Sequence, residues 1–430
     1  MNHELSFEED LPVSPAARGG LYQAIILRSL APMRRGFLEI EFPDGTRKAF
    51  GDPAAEIRAN VRIRRARFFQ RCVLFGDIGF GESFVDGDWE TDSIERVIAW
   101  FLLNQENSPS QSGGRAKNAI IGLLRSWNRL LHLLRPNSVR TSRRNIAEHY
   151  DLGNEFYQRW LDPTMTYSSA LFSSAEQSLE SAQIAKYDAL CRNLRLRESD
   201  RVLEIGSGWG GFACHAAKQF GCHITTVTIS QAQFDFARER IAREGVADRV
   251  EIRLEDYRSV EGRFDKIASI EMMEALGDRF LETFLTKIHA LLAPNGLAGF
   301  QYITVPDSRH AELRRGVDWI QKHIFPGSLL LSIGRINEAL SRTGDLFLHD
   351  LSDLGESYAR TLRIWRENFN RQAESVRALG FDERFIRKWN YYLSYCEAAF
   401  TMRNVSVVQA IYTRPNNRRL AEKAASHPPV

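Results

Sequence analysis

Three short runs hold residue types that could carry chemistry. VLEIGSGWGG, from Val202 to Gly211, reads as a strand, a glycine-rich turn and the start of a helix. Gly206, Gly208 and Gly210 let a backbone turn tightly and approach a ligand with no Cβ in the way, and Ser207 sits inside that turn. A bare G-x-G-x-G is also compatible with a dinucleotide site, and three details argue against one. Glu204, two residues before the first glycine, can brace the loop or meet a ligand's ammonium group, whereas a phosphate cradle has little use for a carboxylate. The run continues as GWGG, departing from G-x-G-x-x-G. Downstream, LEDYRSV places Asp256 and Tyr257 at the end of the third strand, suited to an adenine amino group and an adenine face. Together these residues read as a site for the sulfonium methyl donor S-adenosylmethionine rather than for NAD.

The second run, FDKIASIEMMEALG from Phe264, carries Glu271 and Glu274 three residues apart. On a helical turn they would share one face, serving in an active site, or as a cap or an ion pair. The third run opens at Tyr358, ahead of Leu362, Trp365 and Phe369 at core spacing, so that its surroundings alone are consistent with a purely structural tyrosine. The ten histidines show no metal-ligand spacing and the five cysteines no CxxC, so neither a metal site nor a disulfide framework is expected, as fits a reducing cytosol.

Elements to position these residues follow from the hydrophobic pattern. From Arg201, RVLEIGSG, HITTVTIS, VEIRL, FDKIASIE and GLAGFQYITV are β-rich runs separated by helical stretches, which predicts a doubly wound, mostly parallel α/β sheet. LFLHDL near residue 348 and VSVVQAIYT near 409 are expected to complete it as an antiparallel edge pair. Ahead of it, FLEIEFPDGTRKAF reads as a hairpin, Val61 to Phe84 as a second strand-rich stretch and IERVIAWFLLN as an apolar helix, which makes a smaller N-terminal α+β domain. The predicted boundaries are 1–106 for that accessory, lipid-binding domain, 107–140 for a linker and basic helix, 141–415 for the Rossmann-like class I methyltransferase domain with a seven-stranded sheet, and 416–430 for a tail. The segment up to about residue 25 and the residues after Asn416 lack apolar periodicity and are expected to be poorly ordered.

With 430 residues, 43% apolar and 26% charged, the chain is an ordinary globular protein of two domains, and its net charge of +3 says little about partners. The acidic start MNHELSFEED is not a signal peptide, and no apolar run approaches the ~20 residues that span a bilayer. After the linker SPSQSGG comes a stretch with no Asp or Glu and the cations Arg115, Lys117, Arg125, Arg129, Arg135, Arg140, Arg143 and Arg144. Ile120, Leu123, Leu124, Trp127, Leu131 and Leu134 recur there at helical spacing, so the segment suits an anionic membrane surface, or packs on its own protein with its cations solvated. No recognisable motif supports nucleic-acid binding.

EHYDLGNEFYQRWLDPTMTYSSALF from Glu148, AQIAKYDAL from Ala182, VLEIGSGWGGFA, VTISQAQ from Val227, FDKIASIEMMEALG, IFPG from Ile324 and YARTLRIWRENF from Tyr358 resemble the cyclopropane-fatty-acid synthase family, which includes mycolic-acid cyclopropane synthases and other lipid C-methyltransferases. GDIGFGESFVDGDWE from Gly76 resembles its accessory domain and extends the likeness over most of the chain. The resemblance implies a Rossmann-like methyltransferase with a hydrophobic acyl tunnel. It implies that Tyr150, Tyr167 and Ser168 close over S-adenosylmethionine, that Gly206 and Gly208 line it, that Thr228, Ile229 and Gln233 meet its ribose region, and that Asp256 and Tyr257 meet its adenine. IFPGSLL, Trp319 and Tyr391–Tyr395 are read as tunnel wall or as core.

In that chemistry a cis-alkene, a poor nucleophile, attacks the sulfonium methyl, so the site must exclude water and hold the two in line. Aromatic faces can steady the resulting carbocation, and a base must then take a proton. Loss from the transferred methyl closes a cyclopropane; loss from a neighbouring carbon gives a methyl-branched or methylene chain. The resemblance implies a bound bicarbonate as base, held by Glu274, by Tyr358 and by backbone donors at Ser169 and Ile303. Where the family has Cys, His and His, this chain has Ser169, Gln301 and Ala275. Gln301 can hydrogen-bond an anion but cannot relay a proton at neutral pH. The expected substrate is the unsaturated acyl chain of a membrane phospholipid, the expected place the cytoplasm at the inner face of the membrane, and a homodimer is open as an assembly. The other readings are methylation of a small amine with the same donor, and a catalytically silent lipid-binding homologue.

Overall fold

A computed structural model gives the structure of the protein and describes residues 19–105 and 152–420. Tyr150, the basic amphipathic segment and its linker lie outside those residues. The N-terminal unit begins with α1 (Gly19–Leu30), followed by β1 (Phe37–Glu41), β2 (Arg47–Gly51), β3 (Arg58–Ile63), α2 (Arg67–Val85), β4 (Trp89–Glu90) and α3 (Ile94–Leu103). Its sheet runs β2-β1-β3-β4. The expected hairpin is present, with Phe37 opposite Gly51 and Glu41 opposite Arg47.

Two expectations for this unit need correction. Val61 to Phe84 is not strand-rich: only β3 is extended, and the rest is α2, kinked at Gly76, whose φ is 60°. Its glycines depress helix propensity, but they are there for close approach. A Cβ on Gly79 would lie 2.2 Å from the Arg71 carbonyl oxygen, and one on Gly81 would lie 2.5 Å from the Trp319 ring. Likewise the expectation of poor order up to about residue 25 fails for the described residues Gly19–Leu30, which form α1 because Leu30 is buried and Tyr22, Ile26 and Leu27 pack against the core. Packing overrides weak local preference in both places.

The second unit holds α4 (Asn154–Gln158), α5 (Leu179–Asn193), β5 (Arg201–Ile205), α6 (Gly211–Phe220), β6 (His223–Thr228), α7 (Gln231–Arg243), β7 (Val250–Leu254), β8 (Phe264–Ile270), α8 (Asp278–Leu291), β9 (Leu292–Thr304), α9 (Asp307–Arg315), α10 (Trp319–His323), α11 (Ile333–Thr343), β10 (Phe347–Asp353), α12 (Gly355–Arg371), α13 (Ala373–Ala378), α14 (Glu383–Thr401) and β11 (Ser406–Thr413). Its sheet order is β10-β11-β9-β8-β5-β6-β7. The five predicted β-rich runs form the parallel part, and β11 is antiparallel to both β9 and β10, as expected of a class I methyltransferase sheet. The order reverses at β5, so the crevice beyond the carboxyl ends of β5 and β8 is where an open α/β sheet binds ligands. Serine caps start the helices that flank the crevice: Ser178 for α5, Ser230 for α7 and Ser332 for α11 each accept from a first-turn amide.

The two units share one core. Phe84, Trp89, Val97 and Trp100 of the first join Trp319, Tyr391 and Trp389 of the second in a continuous buried cluster. Trp319 and Tyr391 meet at 4.6 Å, so these two candidates for tunnel wall are interface core. Polar contacts edge the seam: Glu82 accepts from Lys322 (2.7 Å) and pairs with His323 (2.9 Å), and Arg387 donates twice to the Phe84 carbonyl. Gly81→Leu is therefore expected to lower stability by about 1–3 kcal/mol through overpacking, read as a lower Tm. An unchanged Tm would show that the units do not fold as one body.

Candidate active site

One cavity of about 350 Å³ runs from the glycine turn to the apolar faces of α12 and α14, within the size range of small-molecule sites. At its donor end β5 delivers Glu204 and the turn that follows. Gly206, Gly208 and Gly210 all have positive φ (92°, 48° and 82°), and the amides of Gly206 and Ser207 both donate to the Val227 carbonyl. Space above Gly208 is open, with no atom within 4 Å of where a Cβ would stand. Glu204 accepts from the Thr226 hydroxyl at 2.6 Å, and its burial pushes its carboxyl up to about 8. Thr228 donates to the Gln233 side chain (3.0 Å), and Ile229 lines the cavity beside them. Arg258 grips both oxygens of Asp256 at 2.8 and 3.0 Å and lies over the Tyr257 ring, which fixes that wall. The buried Tyr257 hydroxyl has no hydrogen-bond partner among the described residues.

An irregular strap, residues 162–172, crosses over the donor end, and remote side chains satisfy its backbone. Gln183 donates to the Ser168 carbonyl and Lys186 to the Ser168 hydroxyl (2.9 and 2.7 Å); Ala170 and Phe172 donate to Thr361 and Ser357 of α12. Tyr167 bonds Tyr392 at 2.8 Å and its ring lies 5.2 Å from that of Trp365, so the strap ties α5, α12 and α14 around the cavity. Lys186 is fully buried, which pushes its ammonium down to about 8 against the pull of Glu271, Asp162 and Glu204.

At the junction of the donor end and the apolar end stand two carboxylates. Glu271 directly follows β8, with φ 47° and its amide donating to the Gln301 carbonyl; Glu274 lies in the short 3-10 turn Met273–Leu276. They are thus not two residues of one helical face. Glu271 Oε1 accepts from the Ser169 amide and Gln301 Nε2, both at 2.8 Å, and Oε2 accepts from Tyr358 Oη at 2.8 Å. Glu274 Oε1 accepts from the Ile303 amide, while its Oε2 is buried without a hydrogen-bond partner among the described residues. Burial, then the charge of Glu271, pushes the Glu274 carboxyl up to about 8.

The structure brings the predicted residues together but divides them. Tyr167, Ser168, Glu204, Gly206, Ser207, Gly208, Thr228, Ile229, Gln233, Asp256, Tyr257, Glu274, Ile303 and Tyr358 line the cavity. Ser169 and Gln301 are fully buried behind it and reach the chemistry through Glu271. Glu271, which the sequence offers either as an active-site group or as a cap, is placed in the site. Two contributors escaped the sequence reading: Lys186, one residue of a motif, and Gln409, which donates to Gln301 Oε1 at 3.1 Å and so turns the Gln301 amide nitrogen toward Glu271. A lone polar residue within the apolar run VSVVQAIYT was the available signal for Gln409.

A family model described as mycolic acid cyclopropane synthetase matches residues 137–410, well over half of the chain. The chain belongs to that family. Tuberculostearic acid methyltransferase UfaA1 of Mycobacterium tuberculosis is 37% identical over 391 residues, covering 86% of each chain. The cyclopropane-fatty-acyl-phospholipid synthase of Escherichia coli is 35% identical over 361 residues, covering 83% of this chain and 88% of that one. Among solved structures, mycolic acid cyclopropane synthase CmaA1 complexed with SAH and CTAB has a TM-score of 0.59 at 26% identity, covering 63% of this chain and 98% of its own. As a mycolic acid cyclopropane synthetase family member the protein is an S-adenosylmethionine-dependent methyltransferase. The residues at the donor end fit that donor: an open glycine turn, a buried acid behind it, and Asp256 and Tyr257 at its far wall.

Proposed function

We propose that the protein methylates the cis double bond of an unsaturated acyl chain in a membrane phospholipid and closes it to a cyclopropane. The observation that carries this reading is the single cavity that joins the glycine turn to an apolar end, with the carboxylates where the two meet. Ile320, Phe325, Leu329, Tyr395, Ala399 and Phe400 are among the residues that wall that end, which gives a chain of CH2 groups a dry bed. S-adenosylmethionine, when bound, supplies an electrophilic methyl group. Tyr358, 4.4 Å from the Phe400 ring and 6.1 Å from Trp365, contributes an aromatic wall of the kind that steadies a carbocation. α10 and α14, which wall the apolar end, also carry the N-terminal unit, and we place the accessory, lipid-presenting role of that unit there. No described helix is long and apolar enough to cross a membrane. Access to phospholipid is accordingly proposed to be peripheral, from the cytoplasmic face, through the basic segment that lies outside the described residues.

A second reading keeps donor and lipid but ends in a methylene or methyl-branched chain. It is favoured by Gln301, which cannot relay a proton at neutral pH, and by the relative named tuberculostearic acid methyltransferase. Mass spectrometry of phospholipid from cells expressing the protein separates the two. Unsaturated chains are expected to gain the mass of one CH2 group and to keep a ring after mild hydrogenation. A saturated branch after hydrogenation would select the second reading, and unaltered lipid would remove both.

A further inference from the structure

The family resemblance implied a bicarbonate held by the Ser169 and Ile303 amides, Tyr358, Gln301 and Glu274. In this protein every one of those donors already serves a carboxylate of the chain. Ser169 N, Gln301 Nε2 and Tyr358 Oη donate to Glu271, and Ile303 N donates to Glu274. An added anion would have to displace the Glu271 carboxylate and sit against two buried acids, so bicarbonate does not fit.

We infer that Glu271 itself is the base, a built-in carboxylate in the place of an external anion. Glu271 borders the cavity, whereas Ser169 and Gln301 do not. Its three donors favour the ionised form, where Glu274 has one. A glutamate with φ 47° is a strained choice that persists only where its surroundings enforce it, and such strain gathers at active sites. The bond from Glu271 N to the Gln301 carbonyl (2.7 Å) and the Gln409–Gln301 contact enforce it here. Burial raises the Glu271 carboxyl above its usual range, against the Ser169 amide, Gln301, Lys186 and Tyr358, toward the pH at which a general base works best.

The assignment rests on the lipid reading above. The alkene electron pair forms a bond to the methyl carbon as the methyl–sulfur bond breaks, which leaves a cation on the neighbouring chain carbon. Glu271 then takes a proton from the transferred methyl, the C–H pair closes the ring, and the carboxylate becomes a neutral acid. Sulfonium and carboxylate are consumed together, so charge balances.

The test uses the full chain with S-adenosylmethionine and vesicles of cis-monounsaturated phospholipid, in bicarbonate-free buffer and again with bicarbonate added. Wild-type turnover is expected to be the same in both, and E271Q to lose about a hundredfold or more, the usual worth of a general base. E271G, in which glycine suits the positive φ, is expected to be inactive without bicarbonate and to recover as it is added. Calorimetric binding of S-adenosylhomocysteine should be unchanged in both variants. Isotope-labelled bicarbonate followed by NMR should bind E271G and not the wild type. Wild-type turnover that needs bicarbonate, bicarbonate binding to the wild type, or full activity of E271Q would overturn the assignment alone. A wild type that methylates no lipid would overturn the functional reading, and the proton assignment with it.

Discussion

Gly206→Val is expected to weaken S-adenosylhomocysteine binding by about a hundredfold while leaving the protein folded. Gly206 has φ 92°, a conformation β-branched residues almost never adopt. The turn cannot re-route cheaply, because the amides of Gly206 and Ser207 both bond the Val227 carbonyl. A new Cβ would also stand 3.3 Å from Met272 Cγ, a flexible neighbour that can give way. Backbone strain of about 1–3 kcal/mol is therefore the larger effect, relieved by distorting the floor on which the donor rests. Calorimetric titration measures the affinity, and a thermal melt checks the fold. Wild-type affinity in the variant would mean that this turn is not the donor's floor.

Glu274→Gln is expected to flatten the dependence of stability on pH. In the folded protein burial raises the Glu274 carboxyl from 4.5 to about 8, so it keeps its proton where the unfolded chain has released it. The folded state then binds more protons than the unfolded one, and stability falls as pH rises. The contribution is fully present below about pH 4.5 and is lost progressively up to about pH 8. It amounts to something on the order of 3–5 kcal/mol for a carboxyl acting alone. Glu204, raised to about 8 by burial, acts in the same window with the same sign. The wild type should therefore melt at lower temperature at pH 8 than at pH 6, and the glutamine variant, which cannot ionise, should lose less over that interval. Equal slopes for the two proteins would show that Glu274 is ionised in the native state.

Much of the donor half of the site was legible because it is local. A strand, a glycine turn and a helix start lie within ten consecutive residues, and positive φ is a property glycine brings by itself, so VLEIGSGWGG announces its geometry. The same holds for the sheet, whose runs were readable by β-branched content and whose mostly parallel sense follows from strand–helix alternation. α2 was misread because its glycines serve Trp319 and the Arg71 carbonyl, one of them far along the chain, and local propensity carries no record of such neighbours. Trp319 and Tyr392 could not be told apart by periodicity either; one went to the interface and the other to the cavity.

By itself the sequence pointed to the donor, the fold and two acids near the site, and it read a bound bicarbonate as the base with Glu274 among its holders. The proposal that Glu271 takes that part rests on tertiary structure alone. Glu271 and Glu274 are three residues apart and chemically alike, and what distinguishes them is the number of donors that converge on each. Those of Glu271 come from the strap at Ser169, from β9 at Gln301 and from α12 at Tyr358. Long-range packing brings these donors together, and local spacing cannot encode that convergence.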